Sequence, residues 1–355
     1  MRSALLVLTV SCSLVAFADD PRLPEYKEHQ DLSYYLTAAG QKREIKSKYD
    51  WAIRRAHILA NVQTVMGPLP KPEKPVPLDV QELESVTLGE FTRKKLAYHT
   101  DSPDRRVHAY LLIPKDLRSP APAILCLHQT TNIGKEEPAG LGTRENLQYA
   151  KHLAERGFVT LAPDYPSFGE YKYDFPASDG YVSGSMKAIY DNTRAIDLLV
   201  SLKEVDQNRI GCIGHSLGGH NSIFTAVFEP RIKAVVSNCG FTRFHKYYGG
   251  KLKGWTSARY MPLIDTQYGN DPDRVPFDFP ELIAALAPRA FLASSPTHDD
   301  NFEVSGVRDS IASAKPIFKL LGAEDKLQAN YPDCAHDFPP EVREVAYKFL
   351  AEQLK

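Results

Sequence analysis

Apolar positions fall into two rhythms along most of the chain. Short apolar runs at Ala123–Leu127, Phe158–Ala162, Arg209–Ile213, Ile232–Asn238 and Ala290–Ser294 predict strands covered on both faces, and Lys326–Tyr331 is a further predicted strand. Between them, Leu147–Arg156, Met186–Leu202, His220–Phe228, Val307–Leu320 and Glu341–Leu354 predict helices. In the second of these, Ile189, Ala195, Ile196 and Leu199 recur at spacings of three and four. Two further strands, Val86–Tyr98 and Val107–Ile113, are predicted around a turn at Asp101-Ser102-Pro103-Asp104. Strands alternating with helices in this way predict the α/β class, with a mostly parallel central sheet and helices on both faces.

The pattern changes at two places. Upstream, Pro21 to Met66 reads as helical, with Ile45, Tyr49, Ala52, Ile53, Ala56, Leu59, Ala60 and Val62 as the packing face and Gly67 as its stop. Pro68, Pro70, Pro72, Pro75 and Pro77 then make a stiff connection. Residues 19–80 are thus expected to be a helical extension packed on a main domain at 81–355. Within that domain, residues 240–288 show no strand pattern, and an insertion of that length between two strands is a candidate cap over a site at the strand ends. Residues 1–18 read as a signal peptide. Arg2 precedes an apolar run from Ala4, and Ala16-Phe17-Ala18 offers a small-x-small cleavage site, so the expected localisation is secreted or periplasmic. That run is too short to span a bilayer, and no later one is long enough, so the mature chain is expected to have no membrane span.

Composition narrows the function. With 43 Lys+Arg against 44 Asp+Glu, a net charge of −1 gives no field for a polyphosphate, which argues against nucleic-acid partners. Cys126, Cys212 and Cys239 sit in apolar runs and with Cys334 show no paired C-x-x-C spacing. Free thiols are expected, and no metal.

The chemistry is concentrated in Gly214-His215-Ser216-Leu217-Gly218, which follows a predicted strand and precedes a predicted helix. G-x-S-x-G in that setting marks a turn so tight that side chains two residues either side of the serine would clash. It lifts the hydroxyl above the sheet, beside a helix N-terminus. The competing reading is a glycine turn in which Ser216 merely caps the helix. A serine nucleophile needs a histidine base and a carboxylate to orient it, here in the order Ser, acid, His. Pro296-Thr297-His298-Asp299-Asp300 and Pro332-Asp333-Cys334-Ala335-His336 both follow strands. His336 is the expected base and Asp299 the expected acid, with Asp300 as the alternative. Backbone N–H groups of Leu217 and Gln129 are the expected oxyanion donors, although the loop after Ala123–Leu127 has no HGGG run. Tyr165 and Phe168 stand on another strand-end loop, either lining the pocket or packing.

Two further stretches, Val205-Asp206-Gln207-Asn208-Arg209-Ile210-Gly211 before the elbow and Ala285-Leu286-Ala287-Pro288-Arg289 before the acid strand, complete a set. From Val86 to Lys355 the chain resembles an α/β-hydrolase of the dienelactone-hydrolase-like and acyl-peptidase-like branch. It is similar to secreted bacterial acetyl xylan esterase-like proteins. The resemblance implies the α/β-hydrolase fold, Ser216 as nucleophile, Asp299 as acid and His336 as base, with no cofactor. Dienelactone hydrolases proper carry cysteine at the elbow, and prolyl oligopeptidases carry a β-propeller for which the upstream segment has no room. The expected function is therefore a secreted serine carboxylesterase acting on a small-molecule or carbohydrate ester, with deacetylation of a carbohydrate as its finer form. A serine peptidase or amidase is the alternative, and a non-catalytic binding protein a further one. The aromatics at 241–279 either stack on sugar rings or form the insertion's own core, the second being favoured.

Overall fold

A nine-stranded sheet organises the computed structural model, which describes residues 23–355. The expected signal peptide lies outside the described residues. The chain opens with a small antiparallel hairpin, β1 (Tyr34–Leu36) and β2 (Lys42–Glu44), followed by α1 (Lys48–Met66). The large sheet comprises β3 (Gln81–Leu88), β4 (Phe91–His99), β5 (Arg106–Pro114), β6 (Ala121–Leu127), β7 (Val159–Pro163), β8 (Val205–His215), β9 (Ile232–Asn238), β10 (Ala290–Ser294) and β11 (Leu327–Asn330). Their order is β11-β10-β9-β8-β6-β7-β5-β4-β3. β6 to β11 run parallel, and β3, β4 and β5 pair antiparallel to their neighbours. The remaining helices are α2 (Tyr149–Ala154), α3 (Gly184–Ser201), α4 (Leu217–Phe228), α5 (Leu263–Thr266), α6 (Phe279–Leu286), α7 (Val304–Leu320) and α8 (Pro340–Gln353).

Alternation along the strands divides the core in two. In β6, Ala123, Leu125 and Leu127 point to one cluster with side chains of α1, α3, α4, α6 and α7, while Ile124 and Cys126 join the other, with α2 and α8. β9 does the same with Val235 against Ala234 and Val236. Every central strand is thus buried on both faces, which is why these strands read as unbroken apolar runs.

Three expectations are corrected. The single strand predicted at Val86–Tyr98 is two strands of a hairpin, reversing between Leu88 and Phe91, which face each other in the register. β3 is an edge strand exposed along most of its length, so no apolar pattern betrayed it. The segment before Met66 is not helical throughout, since β1 and β2 precede a helix that begins only at Lys48. The packing face of that helix also differs. Tyr49 is 72% exposed and Ile53 is half-exposed, while Trp51, Arg54, Ile58, Val62 and Val65 are buried. Arg54 is the reason. Its guanidinium is fully buried, 2.6 Å from Glu281 Oε1 of α6 and with its carbon 3.1 Å from the centre of the Tyr26 ring. A charged residue thus occupies the middle of the face that an apolar count would place elsewhere.

Register places the site. Leu127 pairs with Gly214, His215 with Asn238, Asn238 with Ser294, and Ser294 with Asn330. The loops after β6, β8, β9, β10 and β11 therefore leave the sheet at one level. The chain winds from β6 to β7 on one side and reaches β8 on the other, and such a reversal opens a crevice at the carboxyl ends of the strands.

Candidate active site

Ser216 sits between the last residue of β8 and the first of α4, at φ 56° and ψ −117°. A serine held there costs about 1–3 kcal/mol and needs its surroundings to enforce it. The glycines do so by letting backbones touch. A Cβ on Gly214 would lie 2.2 Å from the carbonyl carbon of Gly218, and one on Gly218 would lie 1.8 Å from the Leu127 carbonyl oxygen. The Ser216 N–H donates to the Asn238 carbonyl at 2.9 Å, tying the elbow to β9. Its hydroxyl makes no capping bond to α4, which removes the observation that a merely capping serine would require. Leu217, as the first residue of α4, keeps its N–H outside the helical ladder.

The histidine and acid expected from sequence are brought together. His336 Nδ1 stands 2.9 Å from Asp299 Oδ2 and 3.0 Å from Oδ1. Oδ1 also accepts the N–H groups of Asn301 at 2.8 Å and Phe302 at 2.9 Å, so the loop after β10 folds around the carboxylate. The Asp299 side chain is buried, whereas Asp300 is exposed and touches none of these groups. Gln129 is buried at the end of β6. Its carbonyl accepts from His128 Nδ1 at 2.6 Å, and His128 Nε2 accepts the Tyr165 N–H at 2.9 Å, so one ring fixes both loops. Tyr165 and Phe168 pack with Leu217 and Ala188 in a small buried cluster and act as packing.

Two residues that sequence reasoning passed over sit against this group. His215, the variable position of the motif, accepts at Nδ1 from Asn238 Nδ2 at 2.7 Å, and its ring lies 4.8 Å from that of His336. Burial and the neighbouring His336 push its pKa well down, so it stays neutral beside the other ring. Asn238 Nδ2 also donates to the Asp337 carbonyl at 3.1 Å, linking β9 to the loop that carries His336. Cys239, Asp299 and His336 place their ligand atoms within 4.8 Å of one another. Burial, followed by Asp299, raises the Cys239 thiol well above its ordinary value, which keeps it protonated beside the His336–Asp299 pair at ordinary pH. Cys126, Cys212, Cys239 and Cys334 are free thiols.

The insertion forms the wall. Phe241, Phe244, Trp255, Phe277 and Phe279 belong to the main core, so most of its aromatics are packing. Trp255, Tyr247 and Tyr260 nevertheless line a pocket of about 70 Å³ with Ser216, His220 and Phe302. Thr130 Oγ1 lies 3.4 Å from the Tyr260 hydroxyl, and Tyr248 donates to Asn301 at 3.0 Å. A second hollow of about 370 Å³ shares Thr130 and is lined by Gln129, Thr131, Glu136 and Arg144. Larger hollows beside Ile317 and Arg209 contain none of these residues.

Comparison with known proteins agrees with this architecture. YtaP of Bacillus subtilis, named as a hydrolase, is 26% identical over 304 residues, covering 82% of this chain and 96% of YtaP. Acetyl esterase Axe7A of Xylanibacter ruminicola is 27% identical over 182 residues, 46% of this chain and 39% of that protein. A glucuronoyl esterase from Solibacter usitatus shares the fold with a TM-score of 0.69 at 19% identity, over 95% of this chain and 100% of that one. Among the described residues no helix is long and apolar enough to cross a membrane. The chain has the α/β-hydrolase fold, and the family model described as the prolyl oligopeptidase family matches residues 144–351, so the chain belongs to that hydrolase family.

Proposed function

We propose that the protein is a serine carboxylic-ester hydrolase that cleaves a short-acyl ester of a carbohydrate through an acyl-enzyme. The observation that carries this is the His336–Asp299 pair, 2.9 Å apart on loops level with the strained Ser216 elbow. Ser216 Oγ attacks the ester carbonyl while His336 Nε2 takes its proton, and Asp299 holds Nδ1–H so that Nε2 presents its lone pair. The tetrahedral oxyanion is met by the N–H groups of Leu217 and Gln129, the former reinforced by the N-terminus of α4. Collapse returns the proton from His336 to the departing alcohol. Water then attacks the acyl-serine with His336 again as base, releasing the acid and Ser216.

Size supports a short acyl group, because a pocket of about 70 Å³ beside the serine suits a few heavy atoms. The polar hollow of about 370 Å³ next to Gln129 suits the carbohydrate part, and the names of Axe7A and the Solibacter enzyme point the same way for those proteins. On this reading residues 1–18 direct export and 81–355 carry the hydrolase. Family membership favours a second reading, amide-bond hydrolysis by the same residues. Hydrolysis of p-nitrophenyl acetate by wild type and by Ser216→Ala tests the mechanism, and mutant turnover equal to wild type refutes it. Acetylated xylo-oligosaccharides against long-chain esters and dipeptide amides test the substrate. Better turnover of either of the latter sinks the carbohydrate reading.

A further inference from the structure

His220 lies one turn along α4 from Ser216 and is only 6% exposed. Its Nδ1 stands 3.2 Å from the Gly240 carbonyl oxygen. A carbonyl can only accept, so Nδ1 carries the proton of that bond. Burial pushes the ring's pKa down to about 3, so the imidazole is neutral at ordinary pH. Nε2 is then a lone-pair acceptor, and it is buried without a partner among the described residues. Trp255 stands against the same ring, centroids 4.7 Å apart and planes at 63°. Its Nε1–H can only donate, and it too is buried without a partner. Both side chains line the pocket of about 70 Å³ that Ser216 lines.

One buried polar atom without a partner costs about 1–3 kcal/mol, so two in a single pocket call for a ligand that answers both. A methyl or methylene group answers neither. A hydroxyl answers both at once, its O–H donating to His220 Nε2 and its oxygen accepting from Trp255 Nε1–H. We infer that this pocket receives a hydroxyl of the substrate between His220 and Trp255, so that the enzyme selects hydroxylated esters over their deoxy counterparts. The inference rests on Ser216 being the esterase nucleophile. Two sources supply such a hydroxyl: the acyl half, as in a hydroxyacetyl ester, or the alcohol half on the carbon beside the ester, as in a partly acylated sugar.

Two matched pairs of esters distinguish the sources: ethyl glycolate against ethyl acetate, and trans-2-hydroxycyclohexyl acetate against cyclohexyl acetate. For each, kcat/KM is followed by pH-stat titration and the ratio is divided by that for hydroxide. Sites built to bond a hydroxyl reject the deoxy analogue by up to about 10⁵-fold, so a corrected ratio of about 100 or more is expected for one pair. The pair that shows it identifies the half. His220→Phe and Trp255→Phe should each bring that ratio close to the hydroxide value. Inhibition of the wild type needs no variant: glycolate should bind at least about tenfold tighter than acetate, or trans-1,2-cyclohexanediol than cyclohexanol, by the same discrimination. An active wild type with both ratios near one and no difference in inhibition overturns the inference alone, and the pair then holds only water. A high ratio unchanged in both variants also overturns it. Wild-type turnover no greater than that of Ser216→Ala on every ester overturns the esterase reading and this inference together.

Discussion

Replacing Asp299 by asparagine is the sharpest test of the proposed triad, because the two oxygens of its carboxylate do different work. Oδ1 gathers the N–H groups of Asn301 and Phe302 at 2.8 and 2.9 Å, while Oδ2 takes the nearer approach to His336 Nδ1 at 2.9 Å. In Asp299→Asn the amide oxygen must stay with the two backbone donors, since an NH₂ group cannot accept from them. The NH₂ then faces Nδ1, and a donor cannot hold a second donor. The ring has to move its proton to Nε2, the nitrogen that must accept the proton of Ser216. The same substitution of the acid in a Ser-His-Asp triad lowers kcat about 10⁴-fold through the wrong tautomer. At 1.36 kcal/mol per decade that is about 5 kcal/mol of transition-state stabilisation. Because the loop bonds survive, the fold should not suffer with it. The Tm should stay within a few degrees of wild type while p-nitrophenyl acetate turnover collapses. Asp300→Asn, at an exposed residue outside the network, should keep kcat within about twofold, as surface changes away from a site usually do. Asp299→Asn retaining more than a tenth of wild-type kcat, or Asp300→Asn being the damaging change, would refute this assignment of the acid.

Other perturbations address the scaffold. Gly218→Ala places a Cβ 1.8 Å from the Leu127 carbonyl, and neither backbone can retreat without opening the elbow, so urea unfolding should show a loss of about 3 kcal/mol or more. Arg54→Met leaves Glu281 buried with His29 Nδ1, 2.9 Å from Oε2, as its remaining ion-pair partner, which should cost about 3 kcal/mol in the same assay, and a change below about 1 would mean the pair is not structural. His220, held down to about 3 in the fold, is neutral there while the unfolded chain takes up a proton below about 6.5. Its contribution to stability is whole above about 6.5 and is lost as pH falls toward 3, about 2–3 kcal/mol by pH 4.5. Asp278, raised to about 6 by burial, works in the opposite sense, its charged form costing stability above that pH and the cost relieved below it. The comparison is therefore made within one background: the urea midpoint of His220→Phe should fall less steeply than that of wild type between pH 6.5 and 4.5, and parallel slopes would refute the assignment.

How much of this was legible depended on how far each feature reaches along the chain. Gly214, Ser216 and Gly218 declare the elbow because its requirement is local: backbones that touch within five residues leave no room for side chains, and only glycine supplies that. The pairing of Asp299 with His336 was legible because each follows a predicted strand, and parallel strands in register deliver such loops to one edge. Asp299 and Asp300 could be ranked but not separated by position alone, since only the turn that points Oδ1 at two backbone N–H groups distinguishes them. β3 was illegible for the opposite reason. An edge strand with Gln81, Glu82, Glu84 and Ser85 turned to water has no apolar period to announce it.

The same reasoning explains why the wall of the pocket was hidden while its floor was not. His220 is written into the chain four residues after Ser216, yet nothing near it in sequence says that Nδ1 will meet Gly240 and that Nε2 will be left bare. That depends on residues 240–288 folding back over the strand ends. They do so through core aromatics such as Phe244 and Phe279, at 5.6 Å from one another, rather than through any repeating pattern. Trp255 serves both purposes: its ring is part of that core, and its Nε1–H is turned to no partner within it. On the proposed reading, chemistry at the serine draws on the short-range elbow and on Asp299 and His336, which the register of β9, β10 and β11 delivers to the same edge. If the pocket wall selects the ester as inferred, substitutions at Tyr247, Trp255 and Tyr260 should alter which ester is chosen well before they alter whether an ester is cleaved.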